Sequence, residues 1–467
     1  MAEISPKHRS CPTTPSADVV DIEGVALEPE TRRAVAALPG LDGLRGLAAI
    51  GVVLLHSCVP YMTPSVPGLA WSVTDTPHWL ASQCFWLIEL FIMPVFLVMA
   101  GYFAWQSLQR SHAKQVVRSR ARRLLIPLGF GAMVVLPADL YIWLSGWVAD
   151  GKIPLRKMKS LKFEDGIDQD LWGLSHLWFL EYLFLYVVVF AVAYSVCKRF
   201  PSISDWFCSP RRCFLALFVV ASATLVIAPE VVWGFQHRFY PVPSKWLYSG
   251  AFFFAGVGLG SFDCGLNLLA RHATRYAGFA AAMIFPAMLI GQWHVGGGDQ
   301  KTATIVLALT TTAAASLTTA ALLGFAARFR QPLAQHWNYL AAASFWIYLV
   351  HHPFLGLMQI DLKWLLPQVS PVLKVMIGCI GAVSLSLLTY EVLVRKTWLG
   401  KLLGFDYRWE QEASTDRLQV SSELPGADNL QIAASEGQIL PLPSGGSLPD
   451  NGTVTVPSEN AGRKHAA

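Results

Sequence analysis

An arginine and a histidine lie eleven residues apart in an apolar segment near the start of the chain, at Arg45 and His56. In an α-helix, eleven steps complete three turns plus about 20°, so the two side chains share one stripe. They are separated by roughly 16 Å along the axis, at about 1.5 Å per residue. Ionisable groups inside a membrane helix are costly and usually face a protein-lined cavity. The pair therefore predicts either a functional stripe or, equally, a positive-inside anchor followed by a hydrogen-bonding contact between helices.

A single carboxyl group interrupts a second apolar segment. Glu89 lies within FWLIELFIMP at residues 85–94, and burial of an unpaired carboxylate is expensive. Pro94 frees a backbone carbonyl, and Gly101 lets a neighbouring helix approach closely. Glu89 is predicted to be either a functional group or a buried structural contact.

Two further segments place polar side chains in apolar surroundings. In SFWIYLVHHP at residues 344–353, four polar side chains recur on one helix face: Ser344, Tyr348, His351 and His352. These two histidines have no further ligand at suitable spacing on their helix, so we predict no metal site there. In SHLWFLEY at residues 175–182, His176 and Trp178 indicate either an interfacial aromatic belt or a platform for a sugar ring.

Basic residues gather where a third apolar segment begins. The run RARRLLIP at residues 120–127 contains Arg122 and Arg123. An arginine fork suits phosphate oxygens, whereas the alternative is an anchor that sets membrane topology. Near the end of the last apolar segment, Glu391 and Arg395 have the spacing of a helical ion pair.

The elements that carry these residues are predicted to be membrane helices. The 467 residues are 54% hydrophobic and only 14% charged, with a mean hydropathy of +0.43. Soluble domains carry about 25% charged residues, so the composition indicates an integral membrane protein. Apolar runs of spanning length recur about ten times, and they lie at 44–62, 83–107, 124–145, 174–197, 213–233, 247–263, 276–294, 303–326, 338–360 and 372–394.

The fold class is therefore an all-α polytopic bundle of about ten transmembrane helices. Lysines and arginines concentrate in alternate loops, which places both termini in the cytoplasm by the positive-inside rule. The mixed-charge loop at 146–173 is the exception. Residues 1–38 and 406–467 are predicted to be disordered tails around an integral-membrane domain at 39–405.

Other classes of site are not indicated. The net charge of +5 is modest, and no basic patch with interleaved aromatics predicts nucleic-acid binding. None of the eight cysteines forms a CxxC pair, so we expect reduced thiols and no zinc or redox centre. A disulfide between Cys58 and Cys84 is the one alternative left open.

Together, the segments resemble the acyltransferase 3 family, in order from about residue 38 to about 405. LDGLRGLAAIGVVLLH resembles its opening signature of an arginine, ten residues and a histidine; FLVMAGYF, RARRLLIP, HLWFLEYLFLY and SFWIYLVHHP resemble its later motifs. The combination is most similar to a glucan-modifying branch. The chain departs from the pattern at Ala100, where serine is frequent, and after Glu391, where Lys-Pro is frequent.

The resemblance implies an O-acyltransferase of the cell membrane. Its donor substrate would be cytoplasmic acetyl-CoA or succinyl-CoA, with no permanently bound cofactor and no metal, and its acceptor a hydroxyl of an extracytoplasmic or lipid-linked glycan. His56 would act as general base or carry the acyl group. The implied acyl-CoA site is Arg45, Arg122 and Arg123, and the substrate-site candidates are Glu89, His176, Trp178, Tyr348, His351 and His352.

A transporter or flippase of a glycan or lipid precursor is the competing class. Many spans, buried ionisable groups and helices interrupted by glycine and proline fit that description. However, the first five spans show no repeat in the last five, which favours the enzyme.

Overall fold

The described part of the chain is entirely helical. A computed structural model describes residues 38–163, 167–168, 170–197 and 209–405, and these contain no strand. The predicted tails, apart from residue 38, lie outside the described residues. Eleven long helices make up the bundle: α1 (Pro39–Cys58), α2 (Trp79–Arg110), α3 (Ala113–Phe130), α4 (Leu136–Ala149), α5 (Trp178–Cys197), α6 (Pro210–Ile227), α7 (Pro243–Phe262), α8 (Asn267–Val295), α9 (Lys301–Arg328), α10 (Gln335–Leu365) and α11 (Pro371–Thr389).

Short elements join and extend these helices. One π-helical turn, Gly131–Val135, joins α3 and α4 into a continuous helical segment from Ala113 to Ala149. The remaining short elements are Val59–Tyr61, Lys157–Ser160, Ser175–Leu177, Glu230–Trp233, Tyr390–Val394 and Trp398–Leu402.

Nine helical segments in the described ranges are long and apolar enough to cross a membrane. Every one of the ten predicted spans coincides with a helix, and only α7 falls outside the nine. This helix is 20 residues long, but its glycines and Lys245 dilute its apolar character. The all-α polytopic prediction is confirmed, and the protein is a multi-pass membrane protein.

Prolines set where several helices begin. Pro39, Pro210, Pro243 and Pro371 each occupy the first turn of their helix. The ring fixes φ near the helical value, and the missing N–H is one that the first turn leaves unbonded anyway. These helix starts are therefore specified by local sequence.

The helices α1 and α10 run parallel and in contact. At one end, Nη2 of Arg45 donates to the carbonyl oxygen of Ala341 at 3.1 Å. Towards the other end, Nδ1 of His56 lies 3.3 Å from Nε2 of His351. The two contacts are separated by eleven residues on α1 and ten on α10. The stripe predicted for α1 therefore lies against α10 over about three turns.

Paired glycines bring α2 and α7 together. A Cβ on Gly101 would clash with the carbonyl oxygen of Phe253, and a Cβ on Gly256 would clash with that of Val98. Each helix thus offers a glycine to the backbone of the other, as in close membrane-helix crossings. The predicted close approach at Gly101 is confirmed.

Two smaller predictions can also be compared with the structure. Nη1 of Arg395 lies 2.7 Å from Oε1 of Glu391, which confirms the helical ion pair. Cys58 and Cys84 are both free thiols, so no disulfide joins them.

Replacing Gly101 with alanine should destabilise the bundle. The added methyl group forces α7 away from α2, and overpacking of this kind costs about 1–3 kcal/mol. Thermal unfolding in detergent micelles, followed by tryptophan fluorescence, measures the loss. Gly278→Ala is the matched control, because a Cβ there meets no atom within 4 Å. Equal stability of the two variants would contradict the proposed close packing.

Candidate active site

His56 presents one basic nitrogen to a cavity. Its Nδ1 lies 2.9 Å from the carbonyl oxygen of Val52, one turn earlier in α1. Because a carbonyl oxygen can only accept, Nδ1 carries the proton and Nε2 keeps its lone pair. No described residue donates to or accepts from Nε2, and the half-buried ring lines an internal cavity. This nitrogen can therefore accept a proton from a substrate.

His351 also contacts Nδ1 of His56, on the side of the ring away from the free Nε2. Its Nδ1 donates to the carbonyl oxygens of Tyr348, at 2.9 Å, and Ile347, at 3.1 Å. Its Nε2 is consequently an acceptor, 3.3 Å from Nδ1 of His56. The His56 proton thus lies between two acceptors, the Val52 carbonyl and His351. Such an arrangement fixes the orientation of the ring and its tautomer.

Pro353 of α10 leaves a backbone carbonyl free to bind the third histidine, His176. Pro353 has no N–H, so the carbonyl of Leu349, four residues earlier, receives no helical hydrogen bond from it. Nε2 of His176 donates to this carbonyl at 3.2 Å. In return, the hydroxyl of Tyr348 donates to the backbone oxygen of His176 at 2.5 Å. These two bonds fix the short helical turn before α5 against α10.

A buried carboxyl group lies beside the remaining histidine. Oδ2 of Asp139, on α4, is 3.4 Å from Nδ1 of His352 and 3.9 Å from Nδ1 of His176. All three side chains are less than 10% exposed. We use the name imidazole cluster for five side chains: His56, Asp139, His176, His351 and His352.

Two tryptophans cover the imidazole cluster. Trp71, from the loop between α1 and α2, stacks on His56 with centroids 5.7 Å apart and an interplanar angle of 5°. Trp143 stacks on His352 at 5.6 Å and 14°. Gln359 of α10 accepts from the Trp71 indole at 2.6 Å and donates to the His56 carbonyl at 3.3 Å. It therefore satisfies the open end of α1 while it positions Trp71.

Two cavities meet at the imidazole cluster. His56 and His176 line the first, together with the predicted residues Glu89, Trp178 and Tyr348. The second has a volume of about 250 Å³, and its wall includes Asp139 and His352. Four aromatic side chains border it: Trp143 of α4, Trp172 from the loop after α4, and Phe235 and Phe239 from the loop before α7. The imidazole cluster therefore has access from two directions.

A buried lysine adds positive charge to the first cavity. Lys245, at the start of α7, is 5% exposed, and its Nζ donates to the backbone oxygen of Gln236 at 2.7 Å. The ammonium also lies 3.7 Å from the ring centroid of Trp178, a cation–π distance. Glu89 is half-buried and lines the same cavity, where its carboxylate and the Lys245 ammonium attract each other without forming a direct salt bridge. Glu89 and Lys245 are thus groups of opposite charge that share one cavity.

The three predicted arginines lie at the other end of α10, away from the imidazole cluster. Nη2 of Arg45 contacts Ala341 and also lies 3.2 Å from Asp42. Arg122 and Arg123 are exposed, and a Cβ on Gly404 would lie 3.2 Å from Cγ of Arg123. Phe405, next in the chain, packs on Phe345 and Trp346 of α10. Arg45 and Arg123 therefore border the same stretch of α10.

The structure brings together most of the side chains that the sequence predicted for the site. It also adds side chains that the sequence analysis did not predict. His56, Glu89, His176, Trp178, Tyr348, His351 and His352 meet at the imidazole cluster and the first cavity, whereas their catalytic roles stay predictions. Sequence reasoning missed Asp139, Trp71, Trp143, Lys245 and Gln359. Asp139 gave the same signal as Glu89, a lone acid in an apolar span. The prediction of no metal considered ligands on one helix, and the structure brings candidate ligands from other elements within reach of His352.

These features define an integral membrane enzyme with buried imidazoles at the wall of internal cavities. The acyltransferase domain family matches residues 38–391, most of the chain. The chain therefore belongs to the acyltransferase 3 family and is a membrane-embedded acyltransferase, which decides against the transporter class. The predicted family is confirmed.

Several proteins of known name are similar to this chain. The chain is similar to glucans biosynthesis protein C of Salmonella gallinarum, with 26% identity over 382 residues, 76% of this chain and 91% of the relative. The proteins of the same name from Salmonella paratyphi B and Salmonella agona give the same values. No solved structure matches the chain.

Removing either member of the Glu89–Lys245 pair should destabilise the protein more than removing both. A buried charge left without its partner costs on the order of 3 kcal/mol, whereas an uncharged pair of similar volume is nearly neutral. A double-mutant cycle with Glu89→Gln and Lys245→Met, read by thermal unfolding, measures the coupling. Lys301→Met, at an exposed lysine, controls for loss of a positive charge. Additive single effects would contradict the pair.

Proposed function

We propose that the protein is an O-acyltransferase that moves an acetyl or succinyl group from cytoplasmic acyl-CoA to a hydroxyl of an extracytoplasmic or lipid-linked glycan. The observation that carries this proposal is the state of His56, which has a proton on Nδ1 and a lone pair on Nε2 at a cavity wall. A neutral imidazole is the side chain best suited to take a proton from an alcohol near neutral pH.

The proposed reaction is a single displacement. Nε2 of His56 takes the proton of the acceptor hydroxyl while that oxygen attacks the thioester carbonyl carbon. The tetrahedral intermediate then collapses, the carbon–sulfur bond breaks, and the sulfur takes the proton from His56 to leave as CoA thiol. His351 stabilises the transient imidazolium, because its Nε2 accepts from Nδ1 of His56. An acyl group carried on His56 itself is the two-step variant of the same chemistry.

The arginines are proposed to bind the phosphates of the donor. Arg45 is about half exposed, and both of its contacts use Nη2, so its other donors are directed to no group in the described ranges. Arg122 and Arg123 are exposed near the same end of the bundle. Arg45 and His56 lie roughly 16 Å apart along α1, a separation comparable to an extended pantetheine arm.

The second cavity is proposed to admit the acceptor. Its aromatic wall comes from Trp143, Trp172 and Phe239, and aromatic faces pack against the apolar faces of sugar rings. It borders loops on the side of the bundle opposite the basic loops, and the positive-inside rule places the basic loops in the cytoplasm. The names of the Salmonella relatives are consistent with a glucan acceptor.

Replacing His56 with glutamine should abolish most acyl transfer. Glutamine keeps a polar group of similar size but cannot accept a proton, and loss of a general base costs about 10²–10⁴-fold in rate. The measurement is kcat with purified protein in nanodiscs, radiolabelled acyl-CoA and glucan, with the ester identified by mass spectrometry. His336→Gln, at an exposed histidine, is the matched control. A folded His56→Gln protein with near-normal kcat would exclude His56 as the base.

Changing Arg122 and Arg123 jointly to glutamine should weaken donor binding without impairing chemistry. Each lost phosphate contact at an exposed site is worth about 1 kcal/mol, so KM for acyl-CoA should rise roughly tenfold or more at unchanged kcat. The same change at Arg211 and Arg212, an exposed pair at the start of α6, is the control. An unaltered KM would assign Arg122 and Arg123 to membrane topology.

A further inference from the structure

Five buried polar atoms beside the second cavity have no hydrogen-bond partner among the described residues. They are both carboxyl oxygens of Asp139, Nδ1 of His176 and both ring nitrogens of His352. The three side chains are 6%, 3% and 2% exposed, respectively. Buried polar atoms are almost always paired, because an unpaired one costs about 1–3 kcal/mol. Such a concentration of unpaired atoms indicates a ligand at their centre.

The character of these atoms identifies the ligand as a cation. His176 donates through Nε2 to the Leu349 carbonyl, so its Nδ1 bears a lone pair. That lone pair faces Oδ2 of Asp139 at 3.9 Å, and Nδ1 of His352 lies 3.4 Å from the same oxygen. The His176 lone pair and the Asp139 carboxylate oxygen repel each other unless a positive charge lies between them.

We propose that Asp139, His176 and His352 bind a divalent transition-metal ion, and that Zn²⁺ is the ion their chemistry fits best. Two imidazoles and one carboxylate form a common protein ligand set for zinc with one open position. Bonds of about 2.0–2.2 Å in tetrahedral geometry place neighbouring ligand atoms roughly 3.3 Å apart. The donor atoms of the three residues all lie within 4.8 Å of one another, and the 3.4 Å pair already has that spacing.

The surroundings also suit a metal ion. A metal-binding histidine usually donates its other ring N–H to a carbonyl or carboxylate, which fixes the ring and its tautomer. His176 does so with Leu349, whose carbonyl Pro353 leaves without a helical partner. Asp139 and His352 line the 250 Å³ cavity, which gives an ion a way in and leaves room for a water or hydroxyl as fourth ligand.

A second group of potential ligands is less suitable. His56, His351 and His352 also bring their nitrogens within 4.8 Å of one another. This group contains no carboxylate, so a divalent ion there would keep its full charge in a buried site. The Asp139 group offsets one of the two charges. Its three members come from three elements: α4, the short turn before α5, and α10. The site they form lies next to His56, whose ring centroid is 4.7 Å from that of His352.

The metal content of the purified protein tests the assignment without reference to acyl transfer. The full-length chain, purified with an affinity tag free of histidine, is stripped with a chelator, reloaded with ZnCl₂ and desalted. Inductively coupled plasma mass spectrometry should then find about one Zn²⁺ per chain in the wild type. Asp139→Asn and His352→Gln should each lower the content roughly tenfold or more, since losing even a residue that only hydrogen-bonds a metal ligand costs about 10–100-fold in affinity.

Two controls separate loss of a ligand from loss of structure. Asp150→Asn removes another buried carboxylate at the end of α4, one paired with Lys363, and should retain zinc. His237→Gln should also retain it, because both nitrogens of His237 are already bonded, to Ser175 and to Asp170. Burial lowers the pKa of His237. Size-exclusion chromatography verifies that each variant is folded.

The wild type alone provides a second measurement. Reloading with Co²⁺ should give the visible absorption of a tetrahedral site with nitrogen and oxygen ligands. Folded wild-type protein that takes up neither ion would overturn the proposal. So would zinc retention in both ligand variants, or zinc loss in His351→Gln with retention in Asp139→Asn. None of these outcomes bears on His56 as a base, which the acyl-transfer assay decides separately.

Discussion

The imidazole cluster depends on backbone carbonyls that are available to side chains inside a membrane. His56 and His351 each donate from Nδ1 to a carbonyl of the preceding turn of their own helix. His176 uses the carbonyl that Pro353 releases in α10. A membrane interior offers no water to satisfy these ring nitrogens, so the carbonyls decide which nitrogen carries each proton. The carbonyl partners therefore fix the tautomer of His56 and, with it, the position of its free basic nitrogen, Nε2.

Two ion pairs outside the imidazole cluster anchor the elements that carry its covering tryptophans, Trp71 and Trp143. Nζ of Lys374, on α11, lies 2.7 Å from Oδ2 of Asp75, in the loop that supplies Trp71. Lys363, on α10, pairs with Asp150 at the end of α4, the helix that supplies Trp143. Lys374 is only 2% exposed, so losing its partner would leave a buried charge. The stacking partners of His56 and His352 are therefore anchored by charges on the two last helices.

Sequence could predict what repeats along one helix, and much less of what separate helices bring together. Hydropathy located every span, and the helical period placed Arg45 and His56 on one stripe and Tyr348 with His351 and His352 on another. Neither pattern could show that these two stripes face each other, because that contact depends on the packing of α1 against α10. Lys245 comes from a loop boundary where no period applies.

Asp139 illustrates a different obstacle. It follows the π-helical turn Gly131–Val135, and an extra residue in such a turn rotates all later side chains by about 100°. The helical period extended from Arg122 and Arg123 therefore points Asp139 in the wrong direction. From sequence, Asp139 was recognisable only as a single acidic residue in an apolar span. Its place in the site becomes evident from the structure, where it is buried beside two histidines.

The separation between arginines and histidines constrains the acyl donor. In an acyl phosphate, the phosphate is bonded to the reacting carbonyl, so a phosphate-binding arginine would have to adjoin His56. Among the described residues, no arginine lines either cavity, and Lys245 of the first cavity already donates to the backbone oxygen of Gln236. The exposed arginines lie instead near Ala341, about three turns of α10 away from His351. A thioester whose phosphates are joined to the reacting carbon by a long flexible arm satisfies both positions at once. The eleven residues between Arg45 and His56 are thus consistent with the proposed CoA donor.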